Sequence, residues 1–315
     1  MLLDKLLSNL AVHVEPFALC TLSAGWRLRL PAPPDAMIHF VLQGHGAVRG
    51  PDNDPHPLAP LWLAVVPHGA AHALESGTNV QSERRIDTPP EGPPVHRIIA
   101  GSSGAPELIV ACGMVSALYG ESLGLFDHLD EVLAVDLSGT PQVAAAFQGI
   151  LAEQSAPVPG SSTMTAALMT QCLVHLFRCL AGDGARSLPW LTALQDPRLA
   201  RAIDKILDDP AADHTVSSLA ETALMSRSTF AEHFAAAFER SPMSLVHYVG
   251  MQRATRLLRE GTLTIDQVAR RVGFSSRSHF SRAFKKHTGT SPITYRDSAS
   301  AGERNLFAWD SRQPT

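Results

Sequence analysis

The 315-residue sequence is poor in cysteine and in aromatic side chains, with four Cys and 6% Phe, Trp and Tyr. The cysteines, at 20, 112, 172 and 179, have no CxxC spacing and no paired His ligands. That argues against a zinc finger or a disulfide framework and fits a reducing, cytoplasmic setting. No uninterrupted run of about 18 apolar residues occurs, so no membrane span is expected. The opening Met1-Leu2-Leu3-Asp4-Lys5 places an acid in the first apolar stretch and lacks a cleavage site, so no secretory signal is expected either. What is present is ordinary for a globular chain: 45% hydrophobic and 18% charged residues, at a length that suits two domains.

The net charge of −4 conceals a division. Residues 1–182 hold 8 Lys/Arg against 16 Asp/Glu, whereas residues 213–297 hold 12 against 7. A basic block behind an acidic one points to a C-terminal unit that meets a polyanion, although a chance excess of Arg on a solvated face gives the same count.

Along the chain, Cys20–Leu30, Ile38–Leu42, Gly46–Arg49, Leu61–Val66, His72–Leu74 and Glu107–Gly113 read as strands between Gly/Pro breaks. Residues 76–97, with four prolines, read as a mobile surface loop. From about residue 140 the period becomes helical: Pro141–Gln154 and Ser161–Leu180 suit amphipathic helices, and Gly182–Ser187 marks a linker. A new unit opens at Asp196-Pro197, a helix cap followed by a first-turn proline.

Two stretches of this second unit resemble each other. Phe230/Phe280, Phe234/Phe284 and Pro242/Pro292 are 50 residues apart, whereas Leu219/Val268 and Ala220/Ala269 are 49 apart, so the second copy has one extra residue in its turn. In that copy Thr264 and Gln267 form a capping box, and Ile265, Val268, Ala269 and Val272 make one apolar face. Gly273 permits a tight turn, Phe274 plugs beneath it, and Ser275 or Ser276 caps a second helix. Phe280 and Phe284 bury one side of that helix, leaving Arg277, Ser278, His279, Ser281, Arg282 and Lys285 on the other, a face rich in donors for base edges and phosphates. Ser244–Glu260 reads as a rigid connecting helix with Arg253, Arg256 and Arg259 on its polar stripe. Two recognition helices need such a link if they are to sit about 34 Å apart, in successive major grooves.

Residues 196–296 resemble the AraC/XylS family of bacterial transcription regulators, most closely in the run Gly273–Phe284 followed by Gly289-Thr290-Ser291-Pro292 and Tyr295. The resemblance implies base reading by Arg277, Ser278, His279 and Arg282 in the second copy; Ser276 and Lys285 are read as further DNA-binding residues, Lys285 on phosphate. In the first copy it implies Ser228, Ala231 and Glu232, with Arg227 on phosphate. Glu239 stands where the second copy has Gly289, and Gly250 where the family usually has Arg. The first copy's groove-facing surface is small and partly acidic, so the second copy is expected to dominate sequence reading.

Residues 1–182 resemble the cupin-type sensor domain of one subgroup of that family, through Gly25-Trp26, Leu28 and Leu30, His39–Gly44 and Pro67–His72. The resemblance implies an antiparallel barrel with a pocket near Trp26, His39 and His72 where an effector binds, and helices that mediate dimerisation. Enzymatic cupins hold a metal with an HxH pair, a Glu and a later His. Here only His39 lies near the first motif, so no metal is expected, and His39 and His72 are read as structural or effector-contacting. Cys20 and Cys112 read as buried small hydrophobes, with an oxidant response through their thiols as the sharper alternative. That alternative needs a thiolate in an electropositive site, and this unit is acidic.

The expected fold is an N-terminal antiparallel, cupin-like β-barrel with appended helices, followed by an all-α domain with two helix-turn-helix motifs. Its boundaries are 1–182 for sensing and dimerisation, 183–195 for a linker, 196–297 for DNA binding and 298–315 for a tail. The expected function is a non-enzymatic, cofactor-free, sequence-specific transcription regulator that responds to a small-molecule effector or oxidant. Its partners would be double-stranded operator DNA, RNA polymerase if it activates, and a second copy in a homodimer. The alternative is a metal-dependent cupin enzyme fused to a DNA-binding domain.

Overall fold

The computed structural model describes residue 7 and residues 10–77, 79–87, 95–101, 105–119, 123–127, 129–182, 188, 191, 196–238 and 240–297. The expected linker 183–195, the tail 298–315, Glu239 and part of the expected loop, 88–94, lie wholly or largely outside them. The chain divides into two compact units near residue 192, and each is described by itself.

The first unit is built on two facing sheets. One has the strand order β10 (His96–Ala100), β2 (Ala18–Leu22), β11 (Leu108–Tyr119), β4 (Met37–Gly44), β7 (Trp62–Val66), β13 (Leu133–Asp136), with β1 (Leu10–Val14) and β12 (Leu123–Gly124) also on β11. The other runs β6 (Pro55–Leu58), β5 (Gly46–Arg49), β8 (His72–Ser76), β3 (Trp26–Leu30), β9 (Ser82–Arg85). Alternation decides what lies between them: Cys20, Leu22, Val41, Val110 and Cys112 from the first sheet meet Leu28, Leu30, Val48 and Leu74 from the second in one core.

The expected barrel is thus two separate sheets among the described residues, and two of its strand pairs, β10/β2 and β3/β9, are parallel. The expected single strand Cys20–Leu30 breaks into β2 and β3, in different sheets, at a turn where Gly25 takes φ +73°. The expected mobile segment 76–97 contains β9, which pairs with β3 through Trp26↔Ser82 to Arg29↔Arg85. Polar side chains hid this edge strand, because one face of it is solvated. Cys112-Gly113 does not end the sheet, since β11 continues to Tyr119. Gly113 is there because the Phe17 ring lies over it; a Cβ would approach that ring to 2.8 Å.

Helices cover the outer face of the larger sheet. Helix α1 (Pro141–Ser155) stacks Phe147 on Phe40 at 4.0 Å between ring centroids, and Gln154 accepts a hydrogen bond from the Phe17 amide at 2.7 Å. Helix α2 (Ser161–Gly182) packs on α1 and β1. By length and composition its residues Ser161–Ala181 are apolar enough to cross a membrane, which the expectation from uninterrupted apolar runs did not register. A core helix has the same character, and Met169, Cys172, Leu173, Leu176 and Phe177 of α2 are fully buried.

The second unit is helical: α3 (Pro197–Asp208), α4 (Val216–Thr222), α5 (Arg227–Phe238), α6 (Pro242–Glu260), α7 (Ile265–Arg271) and α8 (Arg277–Thr288). Asp196 caps α3 through the Arg198 amide, and Thr215 and Thr264 close capping boxes with Ser218 and Gln267.

Candidate nucleic-acid interface

The turns of α4/α5 and α7/α8 begin alike, and the second carries one more residue before its next helix. In the second, Val272 caps α7, Gly273 takes φ +84°, and the Phe274 amide donates to the Ala269 carbonyl at 2.9 Å. In the first, Leu224 takes φ +56° and the Met225 amide donates to the Ala220 carbonyl at 3.0 Å. A leucine held left-handed and 78% exposed shows that backbone path, not side-chain preference, fixes the turn.

Ser276, rather than Ser275, caps α8, its Oγ accepting from the His279 amide at 3.3 Å. Ser226 caps α5 in the same way through the Thr229 amide at 3.2 Å. Phe280 and Phe284 are fully buried in α8, with ring centroids 5.6 Å apart, and Phe274 and Tyr295 pack edge-on at either end. With that side of α8 committed to the core, Arg277, Ser278, His279, Arg282 and Lys285 are all exposed.

Arg277 is not idle: its guanidinium lies 3.6 Å from the Asp266 carboxylate of α7, both side chains about half exposed. His279 packs edge-on against Phe274 at 5.3 Å. In α5, Phe230, Phe234 and Phe238 form the buried row, Arg227, Ser228 and Glu232 are exposed and Ala231 is half-buried. Ser228 Oγ lies 3.2 Å from Ser226 Oγ. The residues assigned to DNA from the sequence therefore lie along α5 and α8, with Ser276 at the N-cap of α8, and α8 is the more basic.

The stripe expected on the connecting helix is partly occupied. On α6, Arg256 pairs with Glu260 at 3.5 Å and the Arg259 guanidinium lies 5.6 Å from the centroid of the Tyr295 ring. Gly250 is buried, with a Cβ 3.4 Å from the Val272 carbonyl oxygen, so it lets α6 approach the second turn closely. Sequence reasoning missed a cluster at its N-terminal end, where the Arg240 guanidinium lies 4.9 Å from the Tyr248 centroid and His287 meets Tyr248 edge-on. Burial and the charge of Arg240 hold His287 below its ordinary pKa. These residues line a cleft with Ser244, His247, His279 and Lys286; the His and basic residues, spread over 48 positions from Arg240 to His287, left no local signal.

In the first unit, His39 and His72 meet inside the core and Trp26 packs at its edge. His39 is completely buried, so no open effector pocket reaches it. A cavity of about 220 Å³ instead lies beside Arg27, Arg29, Arg49, His72 and Arg85. Glu75, almost fully buried, ties Arg27 and Arg49 together across three strands. The enzymatic cupin set is not met: His39 has no HxH partner, and Glu75, whose carboxylate is taken up by two arginines, projects from β8 to the face opposite His72. Cys20 and Cys112 are buried thiols, and burial with the neighbouring Cys20 pushes the Cys112 thiol well up. That is the opposite of the thiolate an oxidant response requires.

Comparison with known proteins adds the lineage. Residues 219–298 match the helix-turn-helix domain model and residues 2–182 the cupin model. An uncharacterized HTH-type transcriptional regulator of Haemophilus influenzae is 27% identical over 301 residues, 95% of this chain and 99% of that one. The HTH-type transcriptional regulator AlkR of Acinetobacter baylyi is 24% identical over 310 residues, 93% and 98% of the two chains. The DNA-binding domain of AdpA, solved in complex with a target DNA, is 30% identical over 33% of this chain and 95% of that one, with a TM-score of 0.32. With the cupin model covering more than half of the chain, the helix-turn-helix model over its basic end, and near full-length kinship to named regulators, this chain belongs to the AraC family of DNA-binding transcription regulators with an N-terminal cupin domain.

Proposed function

We propose that residues 196–297 bind operator DNA with two helix-turn-helix motifs, α4/α5 and α7/α8, and that α8 reads most of the sequence. The observation that carries this reading is the division of α8: Phe280 and Phe284 face the core while Arg277, Ser278, His279, Arg282 and Lys285 face solvent. Arg277 is the candidate for bidentate reading of guanine, with Ser278, His279 and Arg282 on neighbouring bases and Ser276 and Lys285 on phosphates. In α5, Arg227 supplies register and a backbone contact, with Ser228 and Glu232 turned to the bases.

In this reading the cupin unit responds to a small-molecule effector and sets the arrangement of a homodimer. A ligand in the cavity beside Arg27, Arg29, Arg49 and Arg85 would act by favouring one arrangement over the other. Placement of the operator relative to the promoter decides whether RNA polymerase is recruited or excluded. The chain then acts by binding and not as an enzyme.

Full-length protein titrated into a genomic-fragment pool should enrich one duplex class, with affinity falling steeply as salt rises. Equal recovery of all fragments at every salt concentration would remove the proposal.

A further inference from the structure

Four residues far apart in sequence are brought onto neighbouring positions of the cupin unit's core. Cys112 on β11 and His39 on β4 are direct cross-strand partners, an arrangement that sets Cβ atoms about 4.5–5.5 Å apart. Across the other edge of β11, Cys20 lies opposite Val110, one same-face position along from the Cys112↔Ala18 pair. The two cysteines belong to the same buried core cluster. From the facing sheet, His72 brings its Nε2 to 2.9 Å from His39 Nε2. All four residues are buried, the most accessible only 5% exposed.

Apolar packing does not account for this cluster. His72 Nδ1 lies 3.1 Å from the Ala70 carbonyl, which places its proton there and leaves the Nε2 lone pair aimed at His39. His39 must then donate from Nε2, and its buried Nδ1 has no hydrogen-bond partner. Two imidazoles are enclosed among apolar side chains, where burial keeps them neutral. Neutral imidazoles are the form that binds metal ions.

We propose that Cys20, His39, His72 and Cys112 form a site for a thiophilic divalent cation, with zinc as its occupant. Two sulfurs and two imidazoles are the donor set of a closed tetrahedral zinc site. The charges also balance: two thiolates neutralise Zn2+, so the loaded core carries no net charge. The S–H bond of each cysteine is replaced by a Zn–S bond, and the two protons leave to solvent. The His39 proton shifts from Nε2 to Nδ1, and both Nε2 lone pairs coordinate.

Among the described residues no three such side chains converge on one ion position as they stand. The register sets Cys112 beside His39 and Cys20 one strand further along, and their side chains have to turn toward the two imidazoles to complete the site. Tetrahedral zinc with ligand nitrogens at about 2.0–2.1 Å needs them about 3.3 Å apart, so the 2.9 Å imidazole contact has to open by only a few tenths of an ångström. The Cys112 sulfur, resting 3.7 Å from the Val110 carbonyl of its own strand, has to rotate toward His39. Because β2, β4 and β11 belong to one sheet and β8 to the other, the ion would clamp the two sheets together. Four protein ligands leave no open position, which separates this site from a catalytic cupin centre. The inference holds whichever helices read DNA.

The test uses reduced full-length protein. After dialysis against EDTA and readdition of Zn2+, we expect one zinc per chain by elemental analysis and about two protons released per ion near neutral pH. Co2+ in place of zinc should give sulfur-to-metal charge-transfer absorption and intense tetrahedral visible bands. Cys112→Ser and His72→Gln should each lower zinc affinity by more than about 100-fold, beyond the loss usual for an outer-shell partner. Cys172→Ser and Cys179→Ser should change nothing. Wild-type protein that binds neither ion, or binds Co2+ without a thiolate band or proton release, overturns the proposal even if the ligand variants fail to fold. So does equal affinity in the ligand variants and the controls.

Discussion

Arg277→Ala separates base reading from charge. Among the described residues Arg277 pairs with Asp266 at 3.6 Å, and with both side chains about half exposed that ion pair contributes no more than about 1 kcal/mol. Release of Arg277 toward DNA therefore costs little, and its loss should leave folding almost unchanged. A bidentate contact to guanine discriminates by about 1–3 kcal/mol, so affinity for the best duplex should fall about 5- to 150-fold. Duplexes already altered at the contacted base pair should lose much less. Lys285→Ala is the counterpart: it should weaken every duplex alike and reduce the slope of log K against log[salt] by about 0.9. Fluorescence anisotropy with a panel of single-position operator variants at several salt concentrations distinguishes the two. If Arg277→Ala weakened all duplexes equally and lowered the salt slope as Lys285→Ala does, Arg277 would be a phosphate contact and the assignment of α8 as the reading helix would lose its main support.

Three further outcomes follow from packing and charge. Leu224→Gly should relieve about 1–2 kcal/mol of left-handed strain against about 0.5–1 kcal/mol of added unfolded-chain entropy, leaving the helical unit unchanged or slightly more stable; Gly273→Leu, at φ +84° and beside Ala211, should destabilise it, with urea midpoints as the measure. Glu75→Gln breaks the bridge to Arg27 and Arg49 from a nearly buried position and should lower the cupin unit's stability by about 3 kcal/mol, read by thermal unfolding. His287 is held below the ordinary histidine pKa, so it is neutral near pH 7 and any share of its charge in DNA binding appears only as pH falls beneath that ordinary value; Arg240→Ala removes the repulsion and should move its NMR titration upward.

The helical unit was largely legible in the sequence because its signals are local. Caps at Asp196 and Thr264, the glycine turn at Gly273 and the Phe280/Phe284 spacing each lie within one or two turns of what they organise. The first copy's turn was less visible, since Leu224 occupies a left-handed position that composition assigns to glycine. In the cupin unit the errors have one origin. Strand β9, Ser82–Arg85, is an edge strand with polar side chains, and Cys112-Gly113 looked like a strand end because the ring over Gly113 comes from Phe17. Neither partner lies within a sequence window.

The sequence by itself determined the regulator lineage, the acidic and basic division, and the donor-rich face of α8, because a helix carries its periodicity and caps in consecutive residues. Only the tertiary structure decided that the expected barrel is two sheets, that Glu75 binds two arginines, and that Cys20, His39, His72 and Cys112 share one interior. The absence of CxxC and HxH spacing spoke against a metal, yet that spacing describes ligands on a single loop or strand. Strands β2, β4, β8 and β11 each contribute one residue here, and their pairing is set by the packing of a whole sheet sandwich rather than by distance along the chain.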